Sequence, residues 1–122
     1  IAVVASLAGY GGIPGSTAYG AAKSAMITMA EALRLTYAPR GLTIQVVNPG
    51  FVDTAMTAPN PYPMPFMMSA ERAATTICDG LARGRFENAF PRRLVWPMRM
   101  AYLGPYALWL RLMARATRRT RS

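Results

Sequence analysis

Apolar runs of two lengths alternate along residues 1–91 of the chain. Short apolar runs at 1–5 and 42–47 are bounded by Ser, Gly or Asn, and they predict β-strands. The segment 85–91 starts by alternating charged and aromatic residues and is a third, short strand candidate. Longer runs at about 17–38 and 69–84 carry apolar residues three and four positions apart, which predicts helices. A strand followed by a helix and a second strand indicates a βαβ unit with parallel strands. We therefore expect an α/β fold.

The first predicted helix is apolar around most of its circumference. Its main apolar stripe has helical spacing and consists of Ala22, Met26, Met29, Leu33 and Tyr37. Ser16 and Thr17 are candidate N-caps, and Pro39 and Gly41 are expected to end the helix. A helix with so few polar positions is expected to be buried on more than one side.

The segment 55–68 is rich in proline, methionine and aromatic residues and follows no regular period. Four prolines, at 59, 61, 63 and 65, exclude a helix here. A loop this apolar is not expected to face water alone. We interpret it as a lid or wall over an apolar substrate, because methionine side chains adapt to irregular ligands. The alternative is a loop packed on the core of its own domain.

The formal net charge of +9 comes mainly from the C-terminal end of the chain. Nine of the fourteen basic residues lie in 85–122, where Glu87 is the one acidic residue. Residues 92–122, here called the tail, alternate arginines with large apolar blocks and predict a basic, apolar helical extension. The uncharged run 100–110 is about half the roughly 20 residues that span a bilayer, and Gly104-Pro105 interrupts it, so we predict no transmembrane helix.

Three interpretations of the tail remain open. It lies on an anionic membrane surface, it completes the substrate pocket or a subunit contact, or it is an arm that binds nucleic acid. The third is the least favoured, because the arginines alternate with apolar blocks and not with polar spacers. We therefore expect no nucleic-acid partner.

The absence of histidine and the single cysteine remove several kinds of chemistry. Ser-His catalysis and histidine metal sites are excluded, and Cys78 alone forms no internal disulfide or cysteine metal site. We predict no metal, and we expect Cys78 to be a small buried side chain.

Tyr19 and Lys23, the only lysine, are four residues apart at the start of the first predicted helix. They therefore lie one turn apart on the same helix face. A phenol has a pKa of about 10, and a neighbouring ammonium favours the phenolate and lowers that value. Such a pair suits proton exchange with an alcohol or carbonyl oxygen. Ser6, just after the first strand, can hydrogen-bond the same oxygen, and a cofactor would then carry the hydride.

These motifs resemble the active-site segment of the short-chain dehydrogenases/reductases. The resemblance rests on the strand that ends at Ser6, the Gly- and Pro-containing loop, the Tyr-x-x-x-Lys motif at 19–23, and the turn Asn-Pro-Gly-Phe-Val-Asp-Thr at 48–54. It covers residues 1–91. It implies the C-terminal half of a Rossmann-like, doubly wound parallel sheet, with 1–91 as part of the NAD(P)-binding domain.

The resemblance also implies roles for individual residues. Tyr19 would be the proton donor and acceptor, and Ser6 would position the substrate oxygen. Lys23 would lower the pKa of Tyr19 and hold the nicotinamide ribose. The residues expected to bind NAD or NADP are Tyr19, Lys23, Pro49, Gly50, Val52 and Thr54. Of these, the Val52 backbone would meet the nicotinamide carboxamide, and the Thr54 hydroxyl would meet the carboxamide or the diphosphate. The expected reaction interconverts a secondary alcohol and a carbonyl on a small apolar substrate.

The family's Gly-rich dinucleotide fingerprint is not found in the sequence. The nearest match, Gly-Tyr-Gly-Gly-Ile-Pro at 9–14, has Pro14 in place of the third glycine, and we interpret this loop as bordering the substrate. Because Ile1 lies inside a predicted strand, we expect the chain to be a fragment that is inactive alone. The resemblance also implies a homo-oligomer through the Tyr19–Lys23 helix. We expect a cytoplasmic protein, peripheral at a membrane if the tail docks there. The alternative function is a non-catalytic relative used for dimerisation and membrane docking.

Overall fold

A computed structural model describes residues 1–59 and 64–118, and its centre is a three-stranded parallel sheet. The strands are β1 (Ala2–Val4), β2 (Gln45–Pro49) and β5 (Glu87–Phe90), in the order β1-β2-β5. Val3 pairs with Val46, and Val47 pairs with Asn88. Parallel strands require crossover connections, which two helices provide. The α/β fold and its parallel strands are therefore confirmed.

Helices cover both faces of this sheet. Helix α1 (Thr17–Tyr37) connects β1 to β2 and buries Ala30 against Val3 and Val46. Helix α2 (Ala70–Ala82) precedes β5 and buries Ala73 against Val47 and Phe90. Val46 and Val47 point to opposite faces because side chains alternate along a strand. One strand thus contributes to two cores, as expected for a doubly wound sheet.

The ends of the helices follow the sequence signals in part. Gly41 has φ 82 and follows the short 3-10 turn Ala38–Arg40 that ends α1, a backbone conformation that favours glycine. The Ser69 hydroxyl accepts from the Arg72 N–H and caps α2. Ser16 occupies the N-cap position of α1, but its side chain makes no capping hydrogen bond. Capping by its side chain was therefore a wrong prediction.

Two further features differ from the sequence predictions. Cys78 is exposed, because it lies outside the apolar face of α2 that contains Ala73, Ile77 and Leu81. Of the predicted stripe on α1, Met26 packs on the sheet together with Ile27, whereas Met29 is about half exposed. The side of α1 away from the sheet is thus uncovered in this chain.

The segment after β2 forms a second, smaller sheet. Strand β3 (Val52–Asp53) pairs in parallel with β4 (Met68–Ser69), so the predicted loop 55–68 starts and ends at neighbouring points. Met56, Phe66 and Met67 of this loop are exposed, whereas Met68 packs on the α2 core. Positions 60–63 of the predicted lid lie outside the described residues.

The tail forms two helices, α3 (Arg92–Leu103) and α4 (Tyr106–Arg118). Helix α3 starts directly after β5, and Val95 on its first turns is buried. Trp109 of α4 is 2% exposed, and its indole N–H donates to the Gly12 carbonyl at 2.9 Å. The predicted helical extension is therefore confirmed for residues 92–118, and it packs back on the loop after β1.

Candidate active site

Tyr19 and Lys23 lie together on the first turns of α1. The Lys23 Nζ atom lies 5.5 Å from the centre of the Tyr19 ring. The same Nζ atom donates to the Val4 carbonyl at 3.3 Å, at the carboxyl end of β1. Tyr19 is 46% exposed, so its phenol is open to a ligand. The cation is thus held between the strand end and the phenol ring.

Ser6 follows β1 and is buried. Its extended backbone (φ −168°, ψ 156°) places it at the N-cap of the 3-10 turn Leu7–Gly9. The Ser6 hydroxyl oxygen accepts from the Ala8 N–H at 3.1 Å. A serine hydroxyl has one proton and two acceptor lone pairs. Because this contact uses a lone pair, the hydroxyl proton can still be donated to a substrate oxygen.

The 3-10 turn after Ser6 is in backbone contact with α1. A Cβ atom at Gly9 would lie 2.8 Å from the Lys23 carbonyl carbon, and one at Gly20 would lie 3.2 Å from the Ala8 carbonyl oxygen. Only glycine permits so close an approach at position 9. This contact fixes the segment that carries Ser6 against the helix that carries Tyr19 and Lys23. The structure thus brings the three elements together at the carboxyl end of β1.

The turn after β2 lies at the carboxyl end of the neighbouring strand. Pro49 is the last residue of β2, and the Gly50 N–H donates to the Phe90 carbonyl at 2.8 Å. A Cβ atom at Gly50 would lie 3.1 Å from Leu94 Cδ2 and Pro91 Cδ, so a side chain fits poorly here. In open α/β sheets ligands bind outside the carboxyl ends of the strands.

The predicted cofactor residues Val52 and Thr54 are held by a threonine that the sequence analysis missed. The Thr57 hydroxyl lies 2.7 Å from the Val52 carbonyl oxygen and accepts from the Thr54 N–H at 3.0 Å. A threonine hydroxyl that bonds backbone a few residues away is a common turn device. Thr54 itself is exposed at the start of the loop.

The residues at this edge fit the nicotinamide end of NAD or NADP. The Lys23 ammonium has three N–H donors and uses one on Val4, so two remain for a ribose diol. The exposed Thr54 hydroxyl adds a donor and acceptor at the next strand end. The Gly-rich loop at 9–14 does not fit the diphosphate, because Gly9 lies against α1 and Gly11 against Trp109 and Tyr102.

A polar network that the sequence did not predict connects the loop after Ser6 to strand β5, at the other edge of the sheet from β1. The Tyr10 hydroxyl donates to the Glu87 carboxylate, which also pairs with Arg99 of α3. The fully buried Asn48 donates to the same carboxylate at 2.8 Å. Burial, and then the hydrogen bond to Glu87, raise the pKa of Tyr10 well above its usual value. The signal available in the sequence was Glu87, the one acidic residue among the C-terminal arginines.

A cavity of about 520 Å³ lies elsewhere, between α2, β5 and α3. It is lined by charged side chains that include Arg83, Arg85 and Arg92. It contains none of the residues predicted to bind substrate or cofactor. Among the described residues, the candidate active site is therefore the open region at the carboxyl ends of β1 and β2 and not this cavity.

Comparison with known proteins agrees with the geometry. The short chain dehydrogenase family model matches residues 1–63, about half of the chain. This match includes Ser6, the Tyr19–Lys23 pair, the turn at Pro49–Gly50 and Thr54. The chain therefore belongs to the short chain dehydrogenase family, a family of oxidoreductases, and the resemblance seen in the sequence is confirmed.

Two of three individual relatives match more of the chain than the family model does. An uncharacterized oxidoreductase of Myxococcus xanthus is 40% identical over 106 residues, which are 87% of this chain and 42% of the relative. The 3-oxoacyl-(acyl-carrier-protein) reductase FabG of Haemophilus influenzae is 43% identical over 44% of this chain and 22% of its own length. The 11-beta-hydroxysteroid dehydrogenase-like 4A protein of Arabidopsis thaliana is 31% identical over 79% of this chain and 35% of its own length. The match thus spans about two fifths of the length of the first relative and a smaller share of the other two.

Proposed function

We propose that this chain forms part of an NAD(P)-dependent oxidoreductase that interconverts a secondary alcohol and a carbonyl. The observation that supports this proposal most directly is the position of Tyr19 and Lys23. The phenol is exposed, the Lys23 ammonium lies 5.5 Å from the centre of its ring, and the same ammonium donates to the Val4 carbonyl at the end of the strand that precedes Ser6. Relatives named as oxidoreductases and reductases support the same class of reaction.

In the direction of reduction, the phenol proton of Tyr19 passes to the carbonyl oxygen of the substrate. The Ser6 hydroxyl donates a hydrogen bond to the same oxygen and holds it while negative charge develops there. The Lys23 ammonium stabilises the Tyr19 phenolate that remains. In the reverse direction, the phenolate accepts the alcohol proton.

Bound NAD(P)H would supply the hydride to the carbonyl carbon, and the oxidised form would accept it. Lys23 would hold the nicotinamide ribose, the Val52 backbone would meet the nicotinamide carboxamide, and the Thr54 hydroxyl would meet the carboxamide or the diphosphate. The exposed apolar side chains of the loop, Met56, Phe66 and Met67, favour an apolar substrate.

The test is an assay of the full-length parent protein with NADH or NADPH and a panel of apolar ketones and secondary alcohols. We expect a substrate-dependent change in nicotinamide absorbance. Ser6→Ala should lower kcat by roughly 100- to 1,000-fold, the usual loss when one donor to a developing oxyanion is removed. Ser24→Ala, on an exposed position next to Lys23, is the matched control and should keep kcat within about twofold.

Two results would contradict the proposal. Turnover that is equal in the parent and in Ser6→Ala would remove the role of Ser6. No turnover with any carbonyl or alcohol, by a protein that still binds the cofactor, would favour the alternative of a non-catalytic docking module.

A further inference from the structure

The tail presents two different sides. One side is buried, as Val95 and Trp109 show. On the other, five large apolar side chains are mostly exposed: Trp96 62%, Met100 65%, Leu103 82%, Tyr106 75% and Leu110 61%. They are three or four positions apart within each helix, which places them on one side of α3 and one side of α4. Isolated exposed leucines are ordinary, but a row of large exposed apolar side chains on each of two consecutive helices marks an interaction surface.

The same helices carry a dense positive charge. Arg92 and Arg93 start α3, and Arg111, Arg115 and Arg118 form a stripe on α4 at helical spacing. The sequence contains no acidic residue after Glu87. Within residues 1–59 and 64–118 the one ion pair is Arg99 with Glu87, so these five arginines lack a carboxylate partner there. Their charge is available to an anionic partner.

We propose that α3 and α4 dock on the surface of a bilayer that contains anionic lipids. Tryptophan, tyrosine and leucine beside arginines are the side chains of helices that lie at the boundary between headgroups and acyl chains. The apolar row would enter that boundary, and the arginines would contact the lipid phosphates. This role goes beyond the proposed redox reaction and does not depend on it.

The charge argues against two other partners. A second copy of the chain would bring two arginine-rich surfaces together, and like charges repel. Nucleic acid would use the arginines, but phosphate contacts do not need the exposed Met100, Leu103 and Leu110. Among the described residues, no helix combines the length and the hydropathy that a membrane span requires.

Vesicle flotation of the full-length parent protein tests this proposal. The vesicles would contain phosphatidylcholine alone or phosphatidylcholine with phosphatidylglycerol. We expect flotation with the anionic vesicles, weaker flotation with the neutral ones, and loss of flotation as salt is raised.

Two sets of variants separate the apolar and ionic contributions. Trp96→Ser combined with Met100→Ser and Leu103→Ser should lower the partition coefficient at least tenfold. Arg111→Gln combined with Arg115→Gln and Arg118→Gln should lower it roughly 100-fold on anionic vesicles. The matched control is Met56→Ser, a 79% exposed methionine outside the tail, which should float like the parent. Thermal unfolding of each variant checks that the fold is kept.

Three outcomes would overturn the proposal. The parent does not float with anionic vesicles at low salt, as expected if another part of the protein covers this surface. The tail variants float as well as Met56→Ser does. The serine variants turn an oligomer into a monomer in light scattering without any vesicle binding by the parent, which would make the surface an interface between copies.

Discussion

Substitution of Gly11 by alanine should loosen the tail, whereas the same substitution at Gly12 should not. A Cβ atom at Gly11 would lie 2.8 Å from Trp109 Cε2 and Cζ2 and 2.9 Å from Tyr102 Cδ2. A Cβ atom at Gly12 would meet nothing within 4 Å. Neither glycine has positive φ, so alanine is acceptable to the backbone at both positions.

The magnitude follows from how firmly Trp109 is held. Its ring is buried, and its indole N–H donates a hydrogen bond to the Gly12 carbonyl. Tyr102 packs edge-on against the ring, with the ring centres 5.4 Å apart. Overpacking at such a site costs about 1–3 kcal/mol. Displacement of the ring would also lose a hydrogen bond worth about 1 kcal/mol. Gly12→Ala should be neutral or stabilise by up to about 1 kcal/mol, because alanine restricts the unfolded chain.

Urea unfolding of the parent protein, followed by tryptophan fluorescence, compares the two variants. We expect Gly11→Ala to be less stable than Gly12→Ala by about 2 kcal/mol or more. A red shift of the native emission in Gly11→Ala alone would report the exposure of Trp109. Equal stability and equal emission in the two variants would refute the packing of α4 on the loop after β1.

Three further predictions concern the site and its surroundings. Gly9→Ala should lower kcat roughly 100-fold, because its Cβ would meet the Lys23 backbone and move Ser6 from its position; kcat like that of Gly12→Ala would contradict this. The raised pKa of Tyr10 means that the folded protein keeps a proton that the unfolded chain loses above about pH 10. The free energy of unfolding, measured by urea unfolding at a series of pH values, should therefore fall as pH rises above about 10, and it should fall less steeply in Tyr10→Phe. The same dependence on pH in the two proteins would contradict this. We also propose that α1 forms the contact of a homo-oligomer, as the family resemblance implies. Leu35→Glu, on an 80% exposed position of α1, should then lower the mass measured by light scattering, and an unchanged mass would remove α1 as the contact.

Local patterns were sufficient to predict the main elements of the fold. Strand and helix positions depend on periods of two and of about 3.6 residues, which are visible in the sequence. The pair Tyr19 and Lys23 was also predictable, because its geometry is set within one helix. The exposure of Cys78 was also predictable, because the helical period puts it outside the apolar face of α2. The prediction of a buried side chain followed instead from the general tendency of cysteine to be buried.

Contacts between distant positions could not be predicted in this way. Trp109 and Gly12 are 97 positions apart, and Tyr10 and Glu87 are 77 apart. No local period specifies which of many polar or aromatic side chains meet across such separations. The two-residue strands β3 and β4 are likewise too short to give a periodic signal. The contact between the tail and the loop after β1 therefore could not be predicted from the sequence.

The most direct test of the account is the turnover of Tyr19→Phe in the parent protein, measured together with its affinity for the cofactor. Tyr37→Phe is the matched control, because it removes a phenol hydroxyl at the other end of the same helix. We predict that Tyr19→Phe binds NAD(P)H with nearly the parent's affinity and loses at least 100-fold in single-turnover rate, the scale of general acid catalysis. Tyr37→Phe should keep both. A Tyr19→Phe variant that turns over at the rate of Tyr37→Phe would contradict the assignment of Tyr19 as the proton donor.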